Sequence, residues 1–127
     1  MATIQWKEEF SVGNDLLDDH HRKLFDLLMD VFKVMINNKE SHELDVVIEA
    51  LKSYTIYHFQ EEERLMVESE YPDYIKHKLA HDSFIRNIGD LSKRQMKYDD
   101  IKELFHYLSN WLVEHIMIED KAYENRI

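Results

Sequence analysis

Apolar residues recur every three to four positions through four stretches of this chain, and its 127 residues include only two glycines and one proline. So few turn-formers favour long helices over a many-stranded sheet. Four amphipathic helices in succession read as an all-α, up-down-up-down four-helix bundle forming one domain. The periodicity predicts helices over about 18–37, 41–68, 72–95 and 99–122, after an irregular arm over about 1–16. The first carries Leu17, Leu24, Phe25, Leu28, Val31, Phe32 and Met35 on one stripe, with Asn14 or Asp15 as its cap. Asn37-Asn38-Lys39 breaks the pattern. The second, capped by Ser41, lines up Val47, Ala50, Leu51, Tyr54, His58 and Leu65 and leaves through Ser69-Glu70-Tyr71-Pro72. Pro72 suits the first turn of the third, which runs through Tyr74, His77, His81, Phe84, Ile88 and Leu91 to end near Gln95. The fourth, from near Asp99, carries Ile101, Leu104, Phe105, Leu108, Leu112 and His115 toward Ala122. Ile4, Trp6, Phe10 and Val12 of the arm are expected to pack against the side of the bundle.

Composition removes several function classes. A net charge of -10, with sixteen scattered basic residues, repels phosphate backbones, so no nucleic-acid partner is expected. The absence of cysteine excludes thiolate zinc sites, iron–sulfur clusters and disulfide frameworks, and fits a reducing compartment. The start, Met1-Ala2-Thr3-Ile4-Gln5-Trp6-Lys7, has no apolar signal region, and no stretch approaches a membrane span. A cytoplasmic location without a membrane partner is the expectation. The sequence names no protein partner.

Donor side chains fall on all four helical stretches: His21, His58 with Glu62, His77 with His81, and His115. Residues four apart lie one turn apart on the same face, so each of the two pairs can aim both members at one locus. His58 is in phase with Leu51, Tyr54 and Leu65, and the third-helix pair with Phe84 and Ile88, so these polar groups point into the core. A buried, unpartnered imidazole or carboxylate costs about several kcal/mol, and the set therefore calls for mutual pairing or a cation. Nitrogen and carboxylate donors without thiolate are the inventory of a non-haem iron pair. Between the adjacent histidines, His21 lies nearer the middle of the apolar stripe, and His20 reads as a flanking residue at the stripe's boundary, with a place behind the ligands as the alternative. On the fourth helix, spacing from His115 prefers Glu119; Asp120, five residues on, reaches the same locus only if the helix widens. His42 and His106 read as solvated positions, and Glu61-Glu62-Glu63-Arg64 as a solvated charge run with Glu62 alone turned inward.

The runs Trp6…Phe10-Ser11-Val12-Gly13…Asp18-Asp19-His20-His21-Arg22-Lys23-Leu24, His58-Phe59-Gln60-Glu61-Glu62, His77-Lys78-Leu79-Ala80-His81 and His115-Ile116-Met117-Ile118-Glu119-Asp120 resemble the hemerythrin family, above all its single-domain bacterial members. The likeness spans essentially the whole chain. It implies two iron ions, one held by His77, His81 and His115 and the other by His21 and His58. Glu62, Asp120 and an oxo or hydroxo group would bridge them. It thereby selects Asp120 over Glu119. His20 departs from the glutamine common at that position in the bacterial members. The implied function is reversible dioxygen binding at the two-histidine iron, for storage, delivery or sensing. The alternatives are a diiron enzyme acting on peroxide, nitric oxide or another small oxidant, and a bundle holding adventitious zinc. Reversibility requires a dry pocket. Its expected lining is Leu24, Phe25, Phe59, Trp111, Leu112 and Ile116, chosen for nearness to the inward donors.

Overall fold

The computed structural model describes residues 5–37, 41–92 and 98–127. Ile4, Asn38, Lys39 and Gln95 lie outside the described residues, as do the side chains of Ser41, His42, Leu91 and Asp99. Four helices form the bundle: α1 (Asp15–Ile36), α2 (Ser41–Glu68), α3 (Tyr74–Ser92) and α4 (Tyr98–Glu114). The chain beyond α4 winds on as a π-helix over His115–Asp120 and a 3-10 turn over Lys121–Tyr123. None of the described helices is long and apolar enough to cross a membrane.

Asn14, rather than Asp15, opens α1: its side chain accepts from the Leu17 amide at 3.1 Å, satisfying one of the amides that a helix start leaves free. Every residue of the expected α1 stripe, from Leu17 to Met35, is buried. On α2, Leu51 and His58 are buried as expected and Val47, Tyr54 and Leu65 are half-buried beside them, but Ala50 is exposed: Leu44, Ile48 and Leu51 face the core at a spacing of four and three that puts Ala50 on the solvent side. Just past the end of α2, Glu70 has a φ of 54°, in the left-handed region. The Tyr71 amide bonds to Met66 O at 2.9 Å and the Glu70 amide to Val67 O at 3.1 Å, which together close a Schellman turn without glycine. Its hydrophobic clasp is Met66 against Tyr71, both buried in a small cluster with Val12, Leu17 and Tyr123. α3 starts at Tyr74, just past Pro72.

Short connections make successive helices antiparallel, as the cross-helix pairs show: His20 meets His58, His81 meets Glu63, Phe84 stacks on Trp111, and Asn87 reaches Tyr107. The main core is continuous through Leu28, Val31, Leu51, Phe84, Ile88, Leu104 and Leu108. The polar centre sits nearer the end of the bundle reached by the N-terminal arm.

That arm is tied down by one buried carboxylate. Asp18 accepts from Ser11 Oγ at 2.6 Å and from the Val12 amide at 2.8 Å, which seats Phe10 and Val12 in the two cores. Removing the acceptor strands a buried amide, so Asp18→Ala is expected to cost about 1–3 kcal/mol and to speed hydrogen exchange at Val12. Denaturant unfolding and amide exchange measure both. An unchanged Val12 exchange rate would show that the arm is held by its apolar contacts alone.

Candidate metal centre

Each helix delivers its donors because their phase coincides with its apolar face: His21 from α1, His58 and Glu62 from α2, His77 and His81 from α3. All five are buried, as are His115 and Asp120. The last two show how the chain departs from α geometry. His115–Asp120 is a π-helix, in which i→i+5 bonding sets residues five apart about one turn apart. The wider winding turns Asp120 inward to zero exposure, while Glu119 stays half-buried on the wall of a surface depression with Ala80, Glu114 and Ile118.

The seven donors form two overlapping groups: Glu62, His77, His81, His115 and Asp120, and His21, His58, Glu62 and Asp120. Each residue contributes one atom, and within each group those atoms lie within 4.8 Å of one another. The carboxylates divide their oxygens between the groups. Glu62 Oε1 lies 2.7 Å from His77 Nε2 and 3.0 Å from His81 Nε2, whereas Oε2 lies 3.2 Å from His58 Nε2. Asp120 Oδ1 lies 3.0 Å from His77 Nε2 and 3.2 Å from His115 Nε2, whereas Oδ2 lies 3.0 Å from His21 Nε2.

Short distances do not make these groups satisfied. Glu62 Oε1, both carboxylate oxygens of Asp120, His77 Nε2 and both nitrogens of His21 are buried with no hydrogen-bond partner. Native proteins leave few buried polar atoms unpaired, and here several lie together with neighbours that are close but misaligned for N–H···O bonds. Apart from His21 Nδ1, on the other side of its ring, these atoms face one another within the two donor groups. A cation satisfies such a set, and imidazole with carboxylate suits iron in either common oxidation state as well as zinc.

Without a cation, protons carry part of that load. Burial presses the His21 pKa down, but Asp120 and Glu62 beside it prevail and lift it to about 9. Against the same desolvation, Asp120 and Glu62 raise His77 to about 10. His81 is also raised, burial being outweighed by Glu62 and Glu63. In His58 burial wins and the pKa falls to about 4. Burial alone would raise Glu62, yet His21, His58 and His77 hold it well below the usual carboxylate range. Burial and the charge of Glu62 push Asp120 upward, but His115 and His21 more than reverse this.

Three neighbours of the donors escape sequence reasoning. Tyr123 is fully buried and donates its hydroxyl to Glu62 Oε2 at 2.9 Å; burial, then the charges of Asp120 and Glu62, raise its pKa well above 10. Glu63 is not part of a solvated run. Its Oε2 accepts from His81 Nδ1 at 2.9 Å, giving that ring a carboxylate behind it. His20 takes the alternative place behind a donor rather than the boundary position: it is 5% exposed, with Nδ1 2.9 Å from His58 Nδ1. His106 is exposed, as its spacing suggests.

Beside the donors lies an apolar cavity of about 20 Å³, room for one molecule near the size of water. Leu24, Leu28, Leu51, Thr55, Phe84 and Leu108 line it together with Phe59, Trp111 and Leu112. Of the expected lining, Phe25 and Ile116 are buried in the same core but stand outside this wall. Thr55 hides its hydroxyl by donating to Leu51 O at 2.7 Å, so the wall stays apolar. Two wall residues are also stacked on donors, Phe59 on His81 at 3.7 Å and Trp111 on His115 at 4.3 Å between ring centres.

The family model described as "Hemerythrin HHE cation binding domain" matches residues 12–127. A bacteriohemerythrin of Clostridium acetobutylicum is 34% identical over 125 residues, covering 93% of this chain and 96% of that protein. Myohemerythrin of Sipunculus nudus is 33% identical, covering 96% of this chain and 92% of its own. The solved structure titled "Crystal structure of hemerythrin:wild-type" superposes with a TM-score of 0.87 at 27% identity, covering 98% of both chains. With the fold, the buried donor groups and these likenesses in agreement, the chain belongs to the hemerythrin family.

Proposed function

We propose that this chain, acting as one domain over residues 1–127, binds dioxygen reversibly at a non-haem diiron centre, for storage, delivery or sensing. The observation that carries the reading is the cluster of buried, unpartnered donor atoms around Glu62 and Asp120. His77, His81 and His115 would hold one iron, His21 and His58 the other. Glu62 and Asp120, each with one oxygen in each group, would bridge them. Two iron ions held there would supply one electron each, the chemistry that reversible uptake of dioxygen calls for.

The chain's own residues do the rest. Tyr123, by donating to Glu62 Oε2, fixes the rotation of the shared carboxylate. Phe59 and Trp111 pack the rings of His81 and His115 and keep water from them. The apolar cavity offers a small uncharged gas a place beside the donors that anions and water enter at a cost. The donor set also bears on carrier against oxidase: ferritin-like diiron oxidases draw Glu from every helix, whereas this site has five imidazoles to two carboxylates.

The test is an absorption titration of protein loaded anaerobically with two iron(II) ions per chain. Colour is expected on admission of oxygen and bleaching on its removal, over repeated cycles. A spectrum indifferent to oxygen, or colour that never bleaches, would refute reversible binding. Leu112→Ala, which widens the cavity wall, is expected to keep its iron but lose cycles to irreversible oxidation several times faster than the parent. Equal rates of bleaching loss in the two proteins would show that Leu112 does not guard the site.

A further inference from the structure

His20 and His58 face each other through the same ring atom. Their Nδ1 nitrogens are 2.9 Å apart in a buried contact, and a hydrogen bond at that distance requires one of them to carry the proton and the other to accept it. The other side of the His58 ring decides which. Its Nε2 lies 3.2 Å from Glu62 Oε2 within the four-donor group, and a neutral imidazole that offers Nε2 to a metal keeps its single proton on Nδ1. With a metal on that Nε2, His58 is the donor and His20 the acceptor, its own proton on Nε2. The His20 ring is itself confined, with Tyr54 and Tyr57 at 5.8 and 5.3 Å between ring centres.

We propose that His20 is a positioning residue for the two-histidine half of the centre: it accepts the Nδ1–H of His58 and so holds the bare Nε2 toward the metal position. The inference rests on the reading of the centre given above. On the opposite side Glu63 does the corresponding work for His81, but with a carboxylate. A neutral imidazole acceptor pushes less electron density into its partner than a carboxylate does. The half of the centre served by His20 also has four donors against five, so its ion is the more weakly held of the two.

Cobalt(II), which takes imidazole and carboxylate ligands and is coloured, serves as the probe, titrated into the metal-free full chain. The wild type should take up two ions in resolved steps. In His20→Leu the first step should stay within about threefold of wild type and the second should weaken about 10–100-fold. His20→Gln, whose amide oxygen can accept the same proton, should restore the second step to within about threefold. Equal weakening of both steps, no weakening of either, or a glutamine variant no better than leucine would each overturn the assignment. Wild-type protein that takes up fewer than two cobalt ions would overturn the reading of the centre itself, and this inference with it. Should His20→Leu fail to fold, zinc-loaded wild type labelled with 15N at histidine decides the matter: a coupling between His58 and His20 Nδ1 across the hydrogen bond is expected, and its absence overturns the proposal.

Discussion

Glu62→Ala is expected to reduce iron binding below one ion per chain and to destabilise the bundle by about 3–5 kcal/mol even without metal, the range for breaking a buried ion pair from one side. The size follows from how many groups lean on one carboxylate. His77, His81 and His58 lie 2.7, 3.0 and 3.2 Å from its oxygens, and the Tyr123 hydroxyl donates to it at 2.9 Å. Deleting it takes a donor from both metal groups at once and leaves Tyr123 and His77 buried against an empty space. Glu62→Gln should fall between, keeping the shape while losing the charge. Iron analysis and denaturant unfolding read the two effects. A Glu62→Ala protein that still binds two irons with wild-type affinity would contradict the role of this residue in the centre.

The second large effect is a stability maximum near pH 6.5 in the metal-free protein. His21 and His77, with pKa values raised to about 9 and about 10, contribute stability that is complete below the unfolded value of about 6.5. That contribution drains away as the pH rises through the raised values. His58, lowered to about 4, acts oppositely: its contribution is complete above about 6.5 and is lost as the pH falls toward 4. Glu62 and Asp120, both depressed, add stability above the ordinary carboxylate range and lose it in stronger acid. Between pH 7 and 9 the folded state is then expected to hold between one and two more protons than the unfolded, a slope on the order of 2 kcal/mol per pH unit. Bound metal replaces those protons, so loading should release them, flatten the alkaline limb and tighten as the pH rises. Unfolding curves from pH 5 to 9.5, with and without metal, test this. A flat metal-free profile between pH 7 and 9 would show that His21 and His77 are not protonated in the fold.

What could be read from the residues was phase. His21, His58, His77, His81 and His115 share a helical face with Leu24, Leu51, Phe84, Ile88 and Leu112, and burial of those faces brings the donors inward. The α2 register is harder, because Val47, Ile48, Ala50 and Leu51 allow more than one apolar stripe; in the fold Ile48 and Leu51 join the core, Val47 packs at its edge and Ala50 faces solvent. Asp120 was not legible from spacing. A uniform α-helix favours Glu119, and nothing in Ile116-Met117-Ile118 marks the π winding that turns Asp120 inward. Tyr123 lies past the point where a 3.6-residue period applies, in a 3-10 turn. Glu63 sits in a charge run whose pattern is that of a solvated face, and only the approach of His81 from α3 singles it out. His20 lies off the α1 stripe by one residue, yet Tyr54, Tyr57 and His58 of α2 cover it. Asp120 and Tyr123 depend on a change of winding, Glu63 and His20 on a neighbouring helix, and the local pattern contains neither.

Reversible dioxygen binding requires the seven buried side chains to hold two ions together. Crystals of the iron-loaded protein, with diffraction recorded on both sides of the iron absorption edge, test it most directly. Two anomalous peaks are expected inside the bundle, one touching His77, His81 and His115, the other touching His21 and His58, with Glu62 and Asp120 reaching both. A single peak, or iron at the surface with the buried donors left as they are, would contradict it.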